Sequence, residues 1–349
     1  MVVKNLPYAS CECWFLDVGQ GTSNVILLGE GRAIVIDCGP CGSQQTIKLL
    51  SRHVDTIEAL IISHNDADHD YNVPQVLQQY RRATKNIFFL QDKPPTELPR
   101  TLGLLKEAKD GDFPVPRRLE VDGSPPTVLF SENGVELSVL YPDFTANLVV
   151  QASAASTANQ TSAVLRLSCG NRRVVFSGDG TIDAWEYLTA KMPEAKPLPC
   201  DIMTVPHHGG SISNCATGER SHQARLYAEL IKPEYAIISV GTSNRHNHPK
   251  RDTLDALVNA GVTVLCTQMT GVCCPELEMA RSMRSVLAQP SRSRRCKSTT
   301  QSGRSKDVAC FGSVVAEIST THLQISGLSR YRRDIENHIT TGGFDPACR

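Results

Sequence analysis

Apolar positions along the chain form short blocks, some with the two-residue period of a strand and others with the spacing of a helix. The first kind predicts strands at residues 11–17, 23–28, 33–37, 59–63, 86–90, 135–140, 162–167, 173–177, 201–205, 235–240, 262–266 and 312–318. The second kind predicts helices at residues 44–52, 72–82, 98–109, 223–231, 251–260 and 328–339. Strands come first and helices soon alternate with them, which indicates an α/β fold.

Composition narrows the class of protein. A chain of 349 residues with 40% hydrophobic side chains can bury one large α/β core, and its 36 basic and 36 acidic residues cancel. No secretory signal precedes the first strand, and no apolar run approaches the roughly 18 to 20 residues of a membrane span. We therefore expect a cytoplasmic protein without membrane segments, and its 13 cysteines, an odd number, to be reduced thiols.

The last quarter of the sequence differs from the rest. We expect a hydrolase domain at residues 1–270 and a short C-terminal extension at residues 271–349. Within the extension, residues 289–306 carry six basic side chains and no acid, which predicts a flexible loop, with contact to nucleic acid as the alternative. A structural zinc is a weaker alternative for the cysteines here, because Cys266, Cys273, Cys274, Cys296 and Cys310 do not form two Cys-x-x-Cys pairs.

Three loops that follow apolar strands carry residues that bind metals. The strand at 59–63 leads directly into His64, Asp66, Asp68 and His69. Asp179 and His207 follow the strands at 173–177 and 201–205, each in a glycine-rich loop. Imidazoles mixed with carboxylates favour zinc, manganese or iron over calcium. A lone histidine is more often a hydrogen-bonded loop residue, but three such loops predict one shared metal site.

The order of these motifs resembles a known family. Residues 15–21 (FLDVGQG), 36–39 (IDCG), 64–69 (HNDADH), 177–180 (SGDG), 207–211 (HHGGS) and 241–249 (GTSNRHNHP) are similar to the metallo-β-lactamase-type domain of the ComEC competence family over roughly residues 11–270. The resemblance implies a four-layer αββα sandwich that acts as a phosphodiesterase or nuclease. In that family the domain works beside a membrane DNA channel. The resemblance here covers only the hydrolase domain, so it implies hydrolysis and not a channel.

The resemblance also assigns the metal ligands. It implies two divalent metal ions, Zn or Mn, with Asp179 as the bridging carboxylate and with the remaining ligands from His64, Asp68, His69 and His207. This chain departs from the usual pattern at Asp66, where the family has a second histidine, and no histidine lies between His69 and His207. A carboxylate at position 66 hardens the site, which makes manganese a rival to zinc. A single or weakly loaded metal site is the alternative.

Several neighbouring residues are expected to support the centre. The loop 17–21 and Asp37 should lie under it, with Asp37 bonded to a ligand imidazole, although plain turn chemistry is the alternative. Thr22 stands where the family usually has an acid. His208 is expected to orient its neighbours rather than to bind metal.

The expected mechanism is hydrolysis by a metal-bound hydroxide. Asp68 would orient the nucleophile, and His248 with Arg245 would contact the developing charge, unless the last two are solvated loop residues. Nucleic acid or a nucleotide is the favoured substrate, and protein partners encoded nearby are expected. Two rival functions stay open: a carbonyl-directed hydrolase (lactonase, thioesterase or β-lactamase type), and a non-catalytic binding component with a degenerate metal site.

Overall fold

The protein folds around two mixed β-sheets. The computed structural model describes residues 9–90, 101, 103, 105–106, 112–152, 157–193, 197–213, 218–242, 244–274, 309–342 and 347. The strands are β1 (Ser10–Phe15), β2 (Ser23–Gly29), β3 (Arg32–Cys38), β4 (Thr56–Ile62), β5 (Ile87–Phe89), β6 (Arg117–Arg118), β7 (Thr127–Glu132), β8 (Val135–Tyr141), β9 (Val164–Cys169), β10 (Arg172–Phe176), β11 (Ile202–Thr204), β12 (Tyr235–Ile238), β13 (Thr263–Cys266), β14 (Val314–Ser319) and β15 (Leu323–Ile325).

Helices connect and cover these strands. The α-helices are α1 (Gln45–His53), α2 (Ala67–Asp70), α3 (Val73–Gln79), α4 (Phe144–Ala152), α5 (Ile182–Lys191), α6 (Glu219–Arg225), α7 (Arg251–Asn259) and α8 (Leu328–Gly342). Short turns of 3-10 helix occur at Ala158–Thr161 and Pro206–Gly209, and a π turn occurs at Leu226–Leu230. None of the helices in the described ranges is both long enough and apolar enough to cross a membrane.

Each sheet is antiparallel on one side and parallel on the other. The first has the order β15-β14-β1-β2-β3-β4-β5-β6, and its strands β3 to β6 run parallel. The second has the order β13-β12-β11-β10-β9-β8-β7, and its strands β10 to β13 run parallel. Because the carboxyl ends of parallel strands share an edge, the loops that follow them can meet there.

Three apolar clusters hold four layers together. Between the sheets, Phe15 of β1 stacks on Phe176 of β10 with ring centroids 5.9 Å apart, and both side chains are fully buried. On the outer face of the first sheet, Leu50 of α1 packs with buried strand residues such as Val35. On the outer face of the second, Trp185 of α5 packs in the same way. The expected αββα sandwich is confirmed.

The predicted strands all occur, with ends shifted by a few residues, but the helix predictions were incomplete. Helices α2, α4 and α5 and strands β6, β7 and β15 were missed. Helix α4 exposes apolar side chains, with Phe144 54% and Val149 66% accessible, so it has no buried stripe with helical spacing. The predicted helix at 72–82 ends at Gln79, and most of the one predicted at 98–109 lies outside the described residues.

The segment expected to form a C-terminal extension contributes to the first sheet. Strand β14 pairs antiparallel with β1 from Phe15 opposite Val314 to Ser10 opposite Ser319. It therefore lies inside the sheet, between β1 and β15, where its backbone pairs with the edge of β1 that β2 leaves open. The basic loop expected at 289–306 lies outside the described residues.

Candidate metal centre

The candidate centre lies where parallel strands of both sheets end. Strand β4 leads into His64 and then α2, strand β10 leads into Asp179, and strand β11 leads into the histidine pair at 207–208. Strand β12 ends shortly before the loop that carries His248. Each strand ends in largely apolar, buried residues, and each following loop is polar; the loops after β10, β11 and β12 contain glycine. The sequence thereby places polar side chains at one shared edge of the sandwich.

Ligand-type atoms come together in two overlapping groups. His64, His69 and Asp179 form one group, and Asp68, His69 and His208 form the other, with ligand atoms within 4.8 Å of one another in each. The Nε2 atom of His69 lies 3.0 Å from Oδ1 of Asp179 and 3.3 Å from Nε2 of His208. The Nε2 atom of His208 lies 3.2 Å from a carboxylate oxygen of Asp68. His69 therefore belongs to both groups.

The imidazoles share one orientation. In each ring Nε2 faces the carboxylates, while Nδ1 lies within hydrogen-bonding distance of an outer partner. These Nδ1 contacts are His69 with Asp37 at 2.8 Å, His208 with the carbonyl of Ser239 at 2.9 Å, His207 with the carbonyl of Ser211 at 2.8 Å, and His64 with Oγ of Ser162 at 3.2 Å. Histidines that bind metals show this pattern, because the outer partner fixes the tautomer and frees the inner lone pair.

Asp37 is the most heavily used of these outer partners. Its carboxylate accepts hydrogen bonds from the backbone N–H of Ser63, from the Ser63 hydroxyl and from Nδ1 of His69. Its backbone is in the left-handed region, with φ of 60°, at the end of β3. The expected contact between Asp37 and a ligand imidazole is therefore present.

Two glycines let the loop at residues 63–69, the candidate ligand loop, lie close to the segments that follow β1 and β3. A Cβ atom added to Gly39 would overlap the backbone of Asp68, and one added to Gly21 would lie 2.6 Å from the Asp68 carbonyl oxygen. The N–H of Thr22 donates to that oxygen across 2.9 Å. The backbone of Thr22 thus helps to hold the loop.

Charges in the cluster compensate one another. Burial raises the pKa of the Asp179 carboxyl, but His69, His208 and His64 outweigh it and hold that pKa well below its usual range. Burial lowers the pKa of the His69 imidazole, but Asp179 and Asp37 outweigh it and raise that pKa well above its ordinary value. The cluster is therefore a compact, mutually stabilised set of imidazoles and carboxylates.

The donor set fits a divalent cation. The Nε2 atom of His64 is fully buried, and among the described residues it has no hydrogen-bond partner; its nearest carboxylate oxygens, on Asp66 and Asp179, are 3.6 Å away. A buried nitrogen without a partner costs free energy unless something else satisfies it. Nitrogen and oxygen donors in this mixture suit zinc or manganese.

The metal ligands predicted from the sequence lie at different distances from the two groups of ligand-type atoms. Those at the centre are His64, Asp68, His69 and Asp179. The side chain of Asp66 is 43% exposed, and its contact with the group is between its Oδ2 and Nε2 of His64, 3.6 Å apart. His207 lies at the periphery, with Nε2 4.0 Å from Asp179 and 3.4 Å from the side-chain amide of Asn159.

His208 was expected only to orient its neighbours, yet it reaches Asp68 more closely than His207 reaches any carboxylate. Both histidines have positive φ, 52° for His207 and 54° for His208. Adjacent histidines in such a turn give no sequence signal for which ring faces inward. The glycine pair that follows them was the only hint of an unusual turn.

The two other predicted catalytic residues are placed differently. His248 is buried, and its ring centroid is 5.0 Å from that of His207 and 6.4 Å from that of His208. Burial, together with the neighbouring histidines and Lys250, lowers the pKa of His248 to about 3. Arg245 lies on the exposed loop, and its Nε donates to the ring of His246. A catalytic role for Arg245 stays a prediction.

The C-terminal cysteines do not extend this chemistry within the described chain. Cys266 and Cys273 are buried with their sulfurs 3.9 Å apart, but the two ion-sized groups found among the described residues contain no thiol. Cys296 lies outside those residues. The alternative of a structural zinc gains no support from this region.

Comparisons with known proteins agree with the fold. Curated relatives include ComE operon protein 3 of Bacillus subtilis (strain 168), 24% identical over 74% of this chain and 32% of its own length. Competence protein ComA of Neisseria gonorrhoeae is 23% identical over 75% of this chain and 31% of its own length. Recombination protein 2 of Haemophilus influenzae is 23% identical over 78% of this chain and 29% of its own length. The chain thus spans about a third of the length of these relatives, and the predicted resemblance to the ComEC family is confirmed.

Solved structures were compared as well. They include a CmlA β-hydroxylase mutant, with a TM-score of 0.45, 13% identity and coverage of 75% of this chain and 53% of that one. Another is the short form of human tRNase Z, with a TM-score of 0.40, 15% identity and coverage of 64% and 91%. Residues 17–214, more than half of the chain, match the family model described as the metallo-β-lactamase superfamily. This chain therefore belongs to the metallo-β-lactamase superfamily.

Proposed function

We propose that this protein is a metal-dependent hydrolase whose centre holds two divalent cations, zinc or manganese. The observation that carries the proposal is the common orientation of the imidazoles, which point Nε2 towards Asp179 or Asp68 and bond Nδ1 outward. One cation would be held by Asp68, His69 and His208. His64, Asp66, Asp179 and His207 would hold the other.

The chemistry of such a centre is hydrolytic. When bound, divalent cations at such a site polarise a phosphoryl or carbonyl oxygen and lower the pKa of water. Asp68 is the ligand best placed to orient a nucleophile, because its side chain is 33% exposed whereas that of Asp179 is 4% exposed. His248, whose low pKa keeps it neutral near pH 7, would hydrogen-bond to substrate without adding charge.

Phosphodiesters are the proposed substrate class, as DNA, RNA or a small nucleotide. One curated relative is named a competence protein, another a ComE operon protein, and a third a recombination protein. Arg245 and Lys250 also lie on the loop that contains His248, where they could contact an anionic substrate.

A comparison of substrates tests this proposal. Protein loaded with Zn²⁺ or Mn²⁺ would be assayed on bis-p-nitrophenyl phosphate, a thioester, a lactone and labelled DNA and RNA oligonucleotides. We expect turnover of the phosphodiesters, and loss of at least 100-fold in Asp179→Asn. Turnover of only the thioester or lactone would favour the carbonyl-directed alternative.

Asp201→Asn is the matched control. Asp201 precedes β11, whereas the candidate centre follows it, and its carboxylate accepts hydrogen bonds from Arg172 and from the N–H of Arg173. Loss of activity in both variants would indicate general damage rather than loss of a ligand. The metal content of protein never exposed to chelator, measured by mass spectrometry, tests the non-catalytic alternative, because a degenerate site would contain no stoichiometric metal.

A further inference from the structure

Side chains of α6 form hydrogen bonds with the segment that directly follows the histidine pair. The Glu219 carboxylate accepts hydrogen bonds from the backbone N–H groups of Ile212 and Ser213, both at 2.9 Å, and from the Ser211 hydroxyl. Gln223, one turn further along α6, donates to Glu219 across 2.7 Å and to the carbonyl of Gly210 across 3.0 Å. One helix thus fixes four consecutive residues, 210–213.

This fixed segment supplies the outer partner of His207. The carbonyl oxygen of Ser211 lies 2.8 Å from Nδ1 of His207, so the ring must carry its proton on Nδ1 to donate to it. With the proton there, Nε2 keeps a free lone pair that faces Asn159 and Asp179. The tautomer of His207 therefore depends on where the Ser211 carbonyl is held.

The histidine turn needs such an anchor. His207 has φ of 52°, in the left-handed region that costs non-glycine residues free energy. The N–H of Gly210 closes the turn by donating to the carbonyl of His207 across 2.6 Å. Contacts from outside the turn must offset this cost, and Glu219 and Gln223 make several of them.

We propose that Glu219 is a positioning residue that sets the tautomer and the ring orientation of His207 through the Ser211 carbonyl. The proposal rests on the proposed metal-binding role of His207. In it, the Glu219 carboxylate holds the Ser211 carbonyl, and that carbonyl in turn orients the His207 ring. Glu219 belongs to neither of the two groups of ligand-type atoms. Its effect is transmitted through two hydrogen bonds to the backbone and one to a hydroxyl.

A carboxylate is required at this position because all four of its partners are donors. Burial raises the pKa of Glu219, but the hydrogen bonds from Ser211, Ile212 and Gln223 outweigh it and lower that pKa to about 2. The group is therefore ionised at neutral pH and can accept through both oxygens. An amide in its place would turn one acceptor into an N–H₂ group facing other donors.

The test follows the ring of His207 rather than turnover alone. Metal-free wild type, Glu219→Gln, Glu219→Ala and Ser211→Ala would be compared by ¹⁵N–¹H spectra of the histidine rings, with His207→Gln to assign the signal. We expect one Nδ1–H tautomer in wild type and a mixture in both Glu219 variants. Zn²⁺ affinity should fall about 10-fold in those variants, the lower end of the usual cost of losing an outer partner.

The matched control is Glu229→Gln. Glu229 lies in the π turn that follows α6, its side chain is 60% exposed, and its ion pair with Arg225 spans 3.9 Å. We expect its His207 signal and Zn²⁺ affinity to match those of wild type.

Two outcomes would overturn the proposal. One is a Glu219 variant that melts earlier yet keeps the Nδ1–H tautomer and the Zn²⁺ affinity of wild type. If both Glu219 variants fail to fold, Ser211→Ala decides, because it removes only the hydroxyl contact; an unchanged His207 signal would then count against the proposal. If wild type binds neither Zn²⁺ nor Mn²⁺ while the Glu219 variants still show the tautomer change, the proposed function is refuted and the positioning role stands.

Discussion

The carboxylate of Asp37 lies 2.8 Å from Nδ1 of His69, while Nε2 of the same ring lies 3.0 Å from Asp179. His69 is thus held between two carboxylates, one at the end of β3 and one after β10. Because β3 belongs to the first sheet and β10 to the second, this histidine links the two sheets at the candidate centre.

Asp37→Asn tests the importance of this link. Asparagine has nearly the same shape and tolerates a positive φ, but its N–H₂ group cannot accept a hydrogen bond from the Ser63 hydroxyl or from His69. We expect Zn²⁺ affinity to fall about 10- to 100-fold, measured by competition with a chelating dye. Unchanged affinity would mean that Asp37 supports only the backbone turn.

Gly39→Ala tests the close approach of the loop at residues 63–69, the candidate ligand loop. The added methyl would overlap the Asp68 backbone, so the loop must move away from Thr22, whose N–H bonds the Asp68 carbonyl. We expect loss of metal binding and a destabilisation of about 1 to 3 kcal/mol, the usual cost of overpacking. Metal content and urea unfolding would measure the two effects.

The control for this variant is Gly271→Ala. A Cβ atom at Gly271 would meet nothing within 4 Å, and its φ is not in the left-handed region. It should bind metal as wild type does. A wild-type metal content in Gly39→Ala would show that the loop can shift without losing the site.

Glu219 also predicts a pH dependence of stability. Its pKa falls from an ordinary value of 4.5 to about 2 in the folded protein. A carboxyl with a depressed folded pKa stabilises the fold above its unfolded pKa, and this contribution is lost as pH falls from about 4.5 to 2. In urea unfolding, the stability difference between wild type and Glu219→Gln should therefore shrink over this range. A difference that stays constant down to pH 2 would contradict the assignment.

Much of the fold could be predicted because its strands are largely apolar and end in polar loops, several of which contain glycine. His64, His69 and Asp179 were recognisable since each follows such a strand. Helix α4 was not, because Phe144 and Val149 are exposed and no apolar stripe marks a buried face. Strand β14 was predicted, but its pairing with β1 is a contact across about 300 residues that no local pattern encodes.

The outer partners of the centre were harder to predict than the imidazoles and carboxylates that lie at the centre. The carbonyls of Ser211 and Ser239 could not be identified, because every residue has a carbonyl group and only the folded backbone aims it. The choice between His207 and His208 depended likewise on a turn with two positive φ values. Asp37 was accessible to sequence reasoning because it is a buried carboxylate at a strand end beside a ligand loop.

Asp66→His tests what sets the choice of metal. Asp66 stands where the family usually has histidine, and its Oδ2 lies 3.6 Å from Nε2 of His64, so its side chain faces the group rather than away from it. Because that side chain is 43% exposed, an imidazole can replace it without crowding the core. A nitrogen donor is softer than a carboxylate oxygen and favours zinc over manganese. Metal-free samples of both proteins would be titrated with each cation, and we expect the manganese-to-zinc activity ratio to fall in the variant. Identical ratios in the two proteins would show that Asp66 does not set the metal.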